Sequence, residues 1–398
     1  MSRRAWMMFA CGVVVVLVAN GLRQSLGLFL RPVSTELDLG RQYFGLVIAV
    51  QALVYGLSQP LVGLAADRLG AARVIVAAFL LYGTGLWLAS TSVTGLEMLG
   101  SLGLVVGLAL AGTTQVVVLG AVGRVVSNRR RGIVFGTVIA SGSLGMFIMV
   151  PAVQAGLEMV GWRDTLLVLA VVMVLVSVFS VGLVDDQPHS VSGRTQSIRE
   201  AIREASGHRG YLLLTAGFFV CGFHVTFIAT HLPAYLADRG VSPSVGAVAF
   251  GVIGLANIAG AYLFGALGDR YRKKSLLTFL YLGRAVVMVG ILLFPMTDRS
   301  AVAFGIVLGL LWLGTVPLTS GIVVQVFGTR YFSMLFGMVM LGHQLGGFTG
   351  AWLGGVIYDL TGSYDLMWVF SVILGLTAAA LHWPINDRPL ARLDIRTA

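Results

Sequence analysis

Residues 13–30 read VVVVLVANGLRQSLGLFL, an apolar run with Arg23 inside it. An arginine at the centre of a membrane helix costs roughly 2.5–3.5 kcal/mol on insertion scales. It persists there by facing water, a cavity or an opposite charge. All seventeen Asp and Glu fall in loops or at the ends of apolar runs, with Glu97 and Glu158 nearest to a run interior. No carboxylate is therefore placed near a membrane midplane, and the missing anion can be a bound one. A guanidinium grips a carboxylate through two parallel hydrogen bonds. His224 lies 201 residues further on, with Gly21-Leu-Arg23 matching Gly222-Phe-His224. Its imidazole could take and give a proton in the working pH range. The plainer alternatives are an Arg23 that snorkels to the interface or binds backbone carbonyls, and a neutral His224 packed on a neighbouring helix.

Other polar residues share the apolar runs. Asn20 lies one turn from Arg23. Gln51 and Tyr55 lie one turn apart on one helical face, and Asn257 follows Tyr55 by 202 residues. Gln115, Trp312 and His343 complete the set of candidate substrate contacts. Interhelical hydrogen bonding accounts for the polar ones nearly as well, and Trp312 is either the wall of an organic-anion site or packing. Arg284 stands alone in its run, because Gly83 holds the equivalent place; a bond to a neighbouring helix suits it better than a ligand role. His231 is seven residues from His224, a rise of about 10 Å, too far for one metal ion to bridge. The sequence implies no metal, no cofactor and no enzyme. It has no G-x-x-x-x-G-K-[ST] phosphate loop, so ATP is not expected to drive it.

The elements that position these residues are transmembrane helices. Hydrophobic residues make up 57% of the chain and charged ones 11%, against about 25% charged in soluble domains. The runs are long and continuous, unlike the short alternating strands of a barrel. Windows of about twenty apolar residues predict spans at 6–30, 43–64, 73–91, 96–119, 131–157, 163–184, 211–236, 244–266, 275–295, 300–325, 333–358 and 366–384. The N-terminal run resembles a signal peptide but lacks a convincing cleavage site, and reads as an uncleaved first helix. Cys11 and Cys221 both lie in apolar runs and imply no disulfide framework.

The net charge of +10 is a topology signal, not a nucleic-acid one. Twenty of the 27 Lys and Arg fall on one side of the expected membrane and five on the other, leaving Arg23 and Arg284 inside. By the positive-inside rule both termini and the central loop face the cytoplasm, in a multi-pass protein of the inner membrane. Between the sixth and seventh spans a polar break, with Pro188 and Gly193, ends in a short amphipathic stretch, Ile198 to Ala205.

The chain also repeats itself. GLAADRLGAAR (63–73) matches GALGDRYRKK (265–274). RGIVFGTVIASGSLG (131–145) matches SMLFGMVMLGHQLG (333–346), and GWRD (161–164) matches GSYD (362–365). The offset is 201 or 202 throughout. Parallel halves with the substrate site between them form a transporter plan. The expected fold is all-α and integral to the membrane, with twelve transmembrane helices in two pseudo-symmetric six-helix halves, 1–184 and 211–398, joined by a linker at 185–210.

These motifs resemble those of the major facilitator superfamily across essentially the whole chain. GLAADRLGAAR and GALGDRYRKK look like its loops after the second and eighth helices. There Gly63, Asp67, Arg68 and Arg73, with Gly265, Asp269 and Arg270, could form a conformational latch, or the charges could merely obey topology. Within the superfamily, RQSLGLFL (23–30), GWRDTL (161–166) and FHVTFIATHLPAYL (223–236) resemble the monocarboxylate and oxalate–formate branch. The resemblance implies that Arg23 and His224 face each other across the substrate path, and that the chain is a secondary transporter of a small organic anion, coupled to protons through His224. It also implies a monomer whose partners are that anion, protons and the lipid bilayer. One departure matters: the arginine this branch often carries four residues before the second loop motif is Ala261 here. Efflux of drugs on the same fold is the alternative. For lipophilic cations it predicts buried acids, and none is found.

Overall fold

The computed structural model describes residues 3–126, 128–184, 198–328 and 331–390; at Asp67, Gly123, Arg124, Asn128–Gly132 and Ser333 it describes the backbone only. Residues 185–197 of the expected linker lie outside that set. Backbone polar groups in lipid must be satisfied within their own segment, and the described chain is helical nearly throughout. The first crossing is α1 (Arg3–Ser25), a 3-10 turn (Leu26–Phe29) and α2 (Leu30–Glu36). α3 (Arg41–Leu69) and α4 (Ala71–Ser90) follow. α5 (Gly95–Met98), a π-helical stretch (Leu99–Val105), α6 (Val106–Gly112) and α7 (Gln115–Val125) share the fourth crossing. α8 (Asn128–Ser177) is two crossings folded at Gly161, whose φ of 79° suits glycine.

The short α9 (Ile198–Gly207) leads into α10 (Arg209–Asp238), α11 (Pro243–Arg270) and α12 (Lys273–Leu293). α13 (Asp298–Leu310) and α14 (Thr315–Phe327) form the tenth crossing, and α15 (Phe332–Thr361) and α16 (Asp365–His382) the last two. Ten described segments are long and apolar enough to cross a membrane, and one of these, Ile133–Leu183, crosses twice. Glycines, His343 and Gln344 dilute the hydropathy of α15, which at 30 residues completes twelve crossings. Even parity brings Arg3 and Leu390 to one end of the bundle, termed the proximal end; the other is the distal end.

The repeat has a packing cause. A side chain on Gly145 would strike the backbone carbonyl of Leu17, and one on Gly21 the carbonyl of Gly145, so α1 and α8 cross backbone to backbone. In the second half Gly346 meets the carbonyl of Phe219 and Gly222 that of His343, joining α10 to α15 in the same way. These are the glycine pairs that recur at 201. Small residues permit this approach in membranes, where lipid-excluded packing replaces the hydrophobic effect.

The sequence windows pass over two interruptions. The fourth crossing breaks at Thr113–Thr114 and the tenth at Leu311–Gly314, at matching places in the two halves. Neither break carries a proline, and neither changes the hydropathy.

Beyond α16 the chain folds back onto the proximal end. Arg272 Nη2 bonds Asp387 Oδ1 at 2.5 Å, Gln325 Nε2 donates to the Asp387 carbonyl at 2.8 Å, and the amide of Leu390 donates to Val326 O at 3.1 Å. Burial alone would raise the Asp387 carboxyl, but the Arg272 hydrogen bond and charge hold it below the usual carboxylate range. A depressed carboxylate stabilises the folded state above its unfolded value, and that contribution fades as pH falls through the folded one. Acidification below about pH 4 is therefore expected to free this tail, read as faster proteolysis at residues 383–390. Asp387→Asn should show the same cleavage at neutral pH.

Candidate substrate site

A cavity between α1, α3, α6 and α10 is lined by Arg23, Gln24, Gly27, Gln51, Thr226 and Thr230. Arg23 is half-buried, and its guanidinium carbon sits 4.7 Å from the centroid of the Tyr55 ring. Such a cation–π contact contributes about 0.5–2 kcal/mol, but it occupies none of the five N–H donors. Among the described residues Arg23 has neither a hydrogen bond nor an ion pair. The opposite wall offers Thr226 and Thr230, one turn apart on α10 and 7% and 2% exposed. Their hydroxyls have no hydrogen-bond partner among the described residues. Tyr82 on α4, its hydroxyl buried and unpartnered, lies within electrostatic reach of Arg23. The lining thus combines one cation with neutral hydroxyls and amides, which suits a small monoanion.

The local chain explains the placement. α1 ends two residues after Arg23 and tightens into the 3-10 turn, where Gly27 lies against the backbone of Ala229 on α10. A side chain at Gly27 would collide with the Ala229 carbonyl. This contact closes the cavity on its distal side.

The other expected site residues divide. Tyr55 and Gln51 belong to the site, Tyr55 beneath Arg23 and Gln51 anchored through Nε2 to Leu102 O at 2.8 Å. Asn20 turns to α8 and donates to Gly142 O at 2.9 Å. Asn257 bridges the halves, donating to Ser143 Oγ at 2.8 Å and accepting from the Leu313 amide at 2.9 Å. Trp312 is 1% exposed in the break of the tenth crossing. His343 packs on Phe218, ring centroids 5.0 Å apart. Gln115 is exposed at the first position of α7.

His224 requires a correction. It does not face Arg23: it is fully buried, with Nε2 2.9 Å from Ser371 O on α16. The glycine pairs show that the repeat keeps helix faces as well as positions, so the difference is one of reach: the long Arg23 side chain meets Tyr55 at the cavity, while the shorter imidazole is taken up by α16. On α10 the cavity takes Val225, Thr226, Ala229 and Thr230. Thr226 stands two residues on from His224, and two residues turn a helix by more than half a circle. A threonine on an apolar helix gives no sequence signal, so nothing in the sequence singles out Thr226 or Thr230.

Among the described residues the expected latch makes no ion pair. The Asp67 side chain lies outside the described residues, and no ion pair among the described residues reaches Arg68, Arg73, Asp269 or Arg270. A side chain built on Gly63 or Gly265 would meet no atom within 4 Å. The halves are instead clamped at the distal end. Arg41 at the start of α3 binds Asp238 of α10 in a bidentate pair at 2.5 and 2.9 Å, and its guanidinium stacks 3.6 Å from the Tyr358 ring of α15. Asp359 of α15 accepts from the Arg41 and Gln42 amides at 3.0 and 2.9 Å. A carboxylate there satisfies orphan donors at the positive end of α3. Among the described residues, no hydrogen bond or ion pair joins the halves on the proximal side of Asn257. Among the described residues the halves are thus tied at the distal end, and the proximal loop glycines 63 and 265 face open space.

The sequence of this chain belongs to the Major Facilitator Superfamily, whose family profile matches residues 8–331. It is 25% identical to the MFS-type transporter YcxA of Bacillus subtilis (strain 168), over 98% of this chain and 97% of that one. It is likewise 25% identical to monocarboxylate transporter 13 of Rattus norvegicus, over 92% and 85%. In fold it is similar to a bacterial homologue of the human lysosomal transporter Spinster, with a TM-score of 0.77, 14% identity and coverage of 96% and 97%. The chain is a multi-pass membrane transporter and not an enzyme.

Arg41→Gln keeps the helix start but removes the bidentate pair. It is expected to shift the population toward distal opening, so that a cysteine at position 229 reacts several-fold faster with a membrane-impermeant thiol reagent applied from the distal side. An unchanged rate would show that the clamp does not hold the closed state.

Proposed function

We propose that this transporter carries a small organic monoanion, a monocarboxylate first among candidates, by alternating access and in symport with protons. The observation that carries the reading is Arg23: a guanidinium in the cavity between the halves, stacked on Tyr55, with no hydrogen bond or ion pair among the described residues. A single positive charge opposite neutral threonines matches one carboxylate and disfavours a dianion. The names of the rat monocarboxylate transporters support the same cargo.

In this reading the halves, 1–184 and 211–398, rock about the site with 185–210 as their linker. The Arg41 clamp closes one end. The loops at Gly63–Arg73 and Gly265–Arg270 close the other when the clamp opens. The positive loops and both termini face the cytoplasm across the bacterial inner membrane, and the monomer is the working unit.

Proteoliposomes test the assignment. Wild-type protein is expected to take up labelled short-chain monocarboxylates faster under an inward proton gradient. Arg23→Ala removes about 2–3 kcal/mol of charge-assisted hydrogen bonding, a loss of roughly 30- to 140-fold. Undiminished uptake by a folded Arg23→Ala would make the arginine structural. Uptake of none of these anions by the wild type would shift the search to exported amphiphiles.

A further inference from the structure

Arg284 of α12 is the second guanidinium in the membrane interior, and unlike Arg23 it is enclosed, at 1% exposed. The tenth crossing explains part of its position. α13 stops at Leu310 and α14 starts at Thr315, so carbonyls between them lack helical partners. Arg284 Nε donates to Leu311 O at 2.9 Å and Nη2 to Trp312 O, while Asn257 accepts from the Leu313 amide. Two neutral carbonyls orient a guanidinium but do not cancel its charge, and a buried charge without a counter-ion is strongly disfavoured.

Its third nitrogen, Nη1, points at Cys221 Sγ of α10, 3.6 Å away. Arginine only donates, so the sulfur accepts. Thr315 Oγ1 lies 3.3 Å from the same sulfur; His343 of α15, whose backbone meets Gly222, and Tyr281 of α12, whose ring lies 5.4 Å from the Arg284 guanidinium carbon, flank the pair. A fully buried sulfur ringed by groups able to donate, beside a cation with no acid, occupies an anion's place.

We propose that Cys221 is the thiolate counter-ion of Arg284 and the group that takes up and releases the transported proton. The second half of this assignment rests on the transport reading above; the ion pair does not. On uptake a proton passes from cavity water through the His343 imidazole to the sulfur, an S–H bond forms, and Arg284 is left uncompensated. On release the S–H bond breaks and the proton returns through the imidazole to water. His343 Nδ1 bonds Gln344 Oε1 at 3.2 Å, and Gln344 packs on Gly56 of α3, so the route reaches the face between the halves.

An uncompensated guanidinium in a low-dielectric core acts over long range and favours an anion in the cavity. Reciprocally, a bound anion favours the protonated thiol. That linkage is symport without a membrane carboxylate. The other charged and titratable groups facing the cluster are His224 of α10, held by Ser371 O, and His382 of α16, stacked on Tyr281 with centroids 5.0 Å apart.

The experiment uses Cys11→Ser protein, in which Cys221 is the single thiol. The ultraviolet absorbance of a thiolate is expected at neutral pH. It should be absent from Cys11→Ser/Cys221→Ser and from Cys11→Ser/Arg284→Met. In proteoliposomes Cys221→Ser, which keeps a hydroxyl for Thr315 but does not ionise, should lose gradient-driven accumulation and retain exchange of labelled for unlabelled carboxylate. A purely structural cysteine would alter both or neither. A Cys11→Ser protein without the thiolate band at neutral pH, or a Cys221→Ser transporter that accumulates substrate as the wild type does, would overturn the proposal. Should the wild type carry no carboxylate, the reading of the cargo fails, while the absorbance still decides the ion pair.

Discussion

The membrane interior of this protein contains two guanidiniums and, among the described residues, no carboxylate, and the rest of the structure follows from how each charge is met. Arg284 is met from within: two carbonyls released by the break in the tenth crossing, and a cysteine sulfur, surround it. Arg23 is met by an aromatic face and a cavity. A charge that the fold satisfies needs no ligand. A charge that the fold leaves open is an invitation to a ligand, because each unfilled donor in a desolvated site costs free energy until something accepts from it. The two arginines look alike in sequence, and their surroundings assign them opposite tasks.

Movement is built from close backbone contacts. Glycines at 21, 145, 222 and 346 let helices within each half touch backbone to backbone, which makes each half stiff. Between the halves, among the described residues, the ionic bonds sit at the distal end, where Arg41, Asp238 and Asp359 meet, and Asn257 adds a hydrogen bond to Ser143. Proximally the loop glycines at 63 and 265 face open space. Breaking the clamp leaves the interior packing of each half intact, so the halves can rock at their helix contacts, such as Gly45 against Ala351 and Gly254 against Ser143.

Much of this is legible in the sequence, for physical reasons. Apolar length gives the crossings, and the recurrence of glycines at a fixed offset gives the two halves, because a glycine at a backbone crossing has no substitute. Arg23 is legible because a charge in an apolar run demands an explanation. His224 is misplaced because an equivalent position does not give an equivalent reach: a long arginine extends to the cavity, whereas an imidazole bonds the first carbonyl it meets, Ser371 O. Thr226, Thr230 and Tyr82 are silent: each is common in membrane helices, and the facing element alone decides its role. The clamp is hidden because Arg41, Asp238 and Asp359 sit in loops or at helix ends, where charges are expected anyway. The helix breaks at 113–114 and 311–314 carry no proline and leave hydropathy unchanged, so only the backbone shows them.

On this view Arg23 waits for an anion. Titration calorimetry of short-chain monocarboxylates with purified protein, wild type beside Arg23→Met, tests it without requiring transport. The wild type is expected to bind, and the variant to show at least about a tenfold weaker affinity, some 1.4 kcal/mol or more, with no loss of thermal stability. Equal affinity in the two proteins would contradict it.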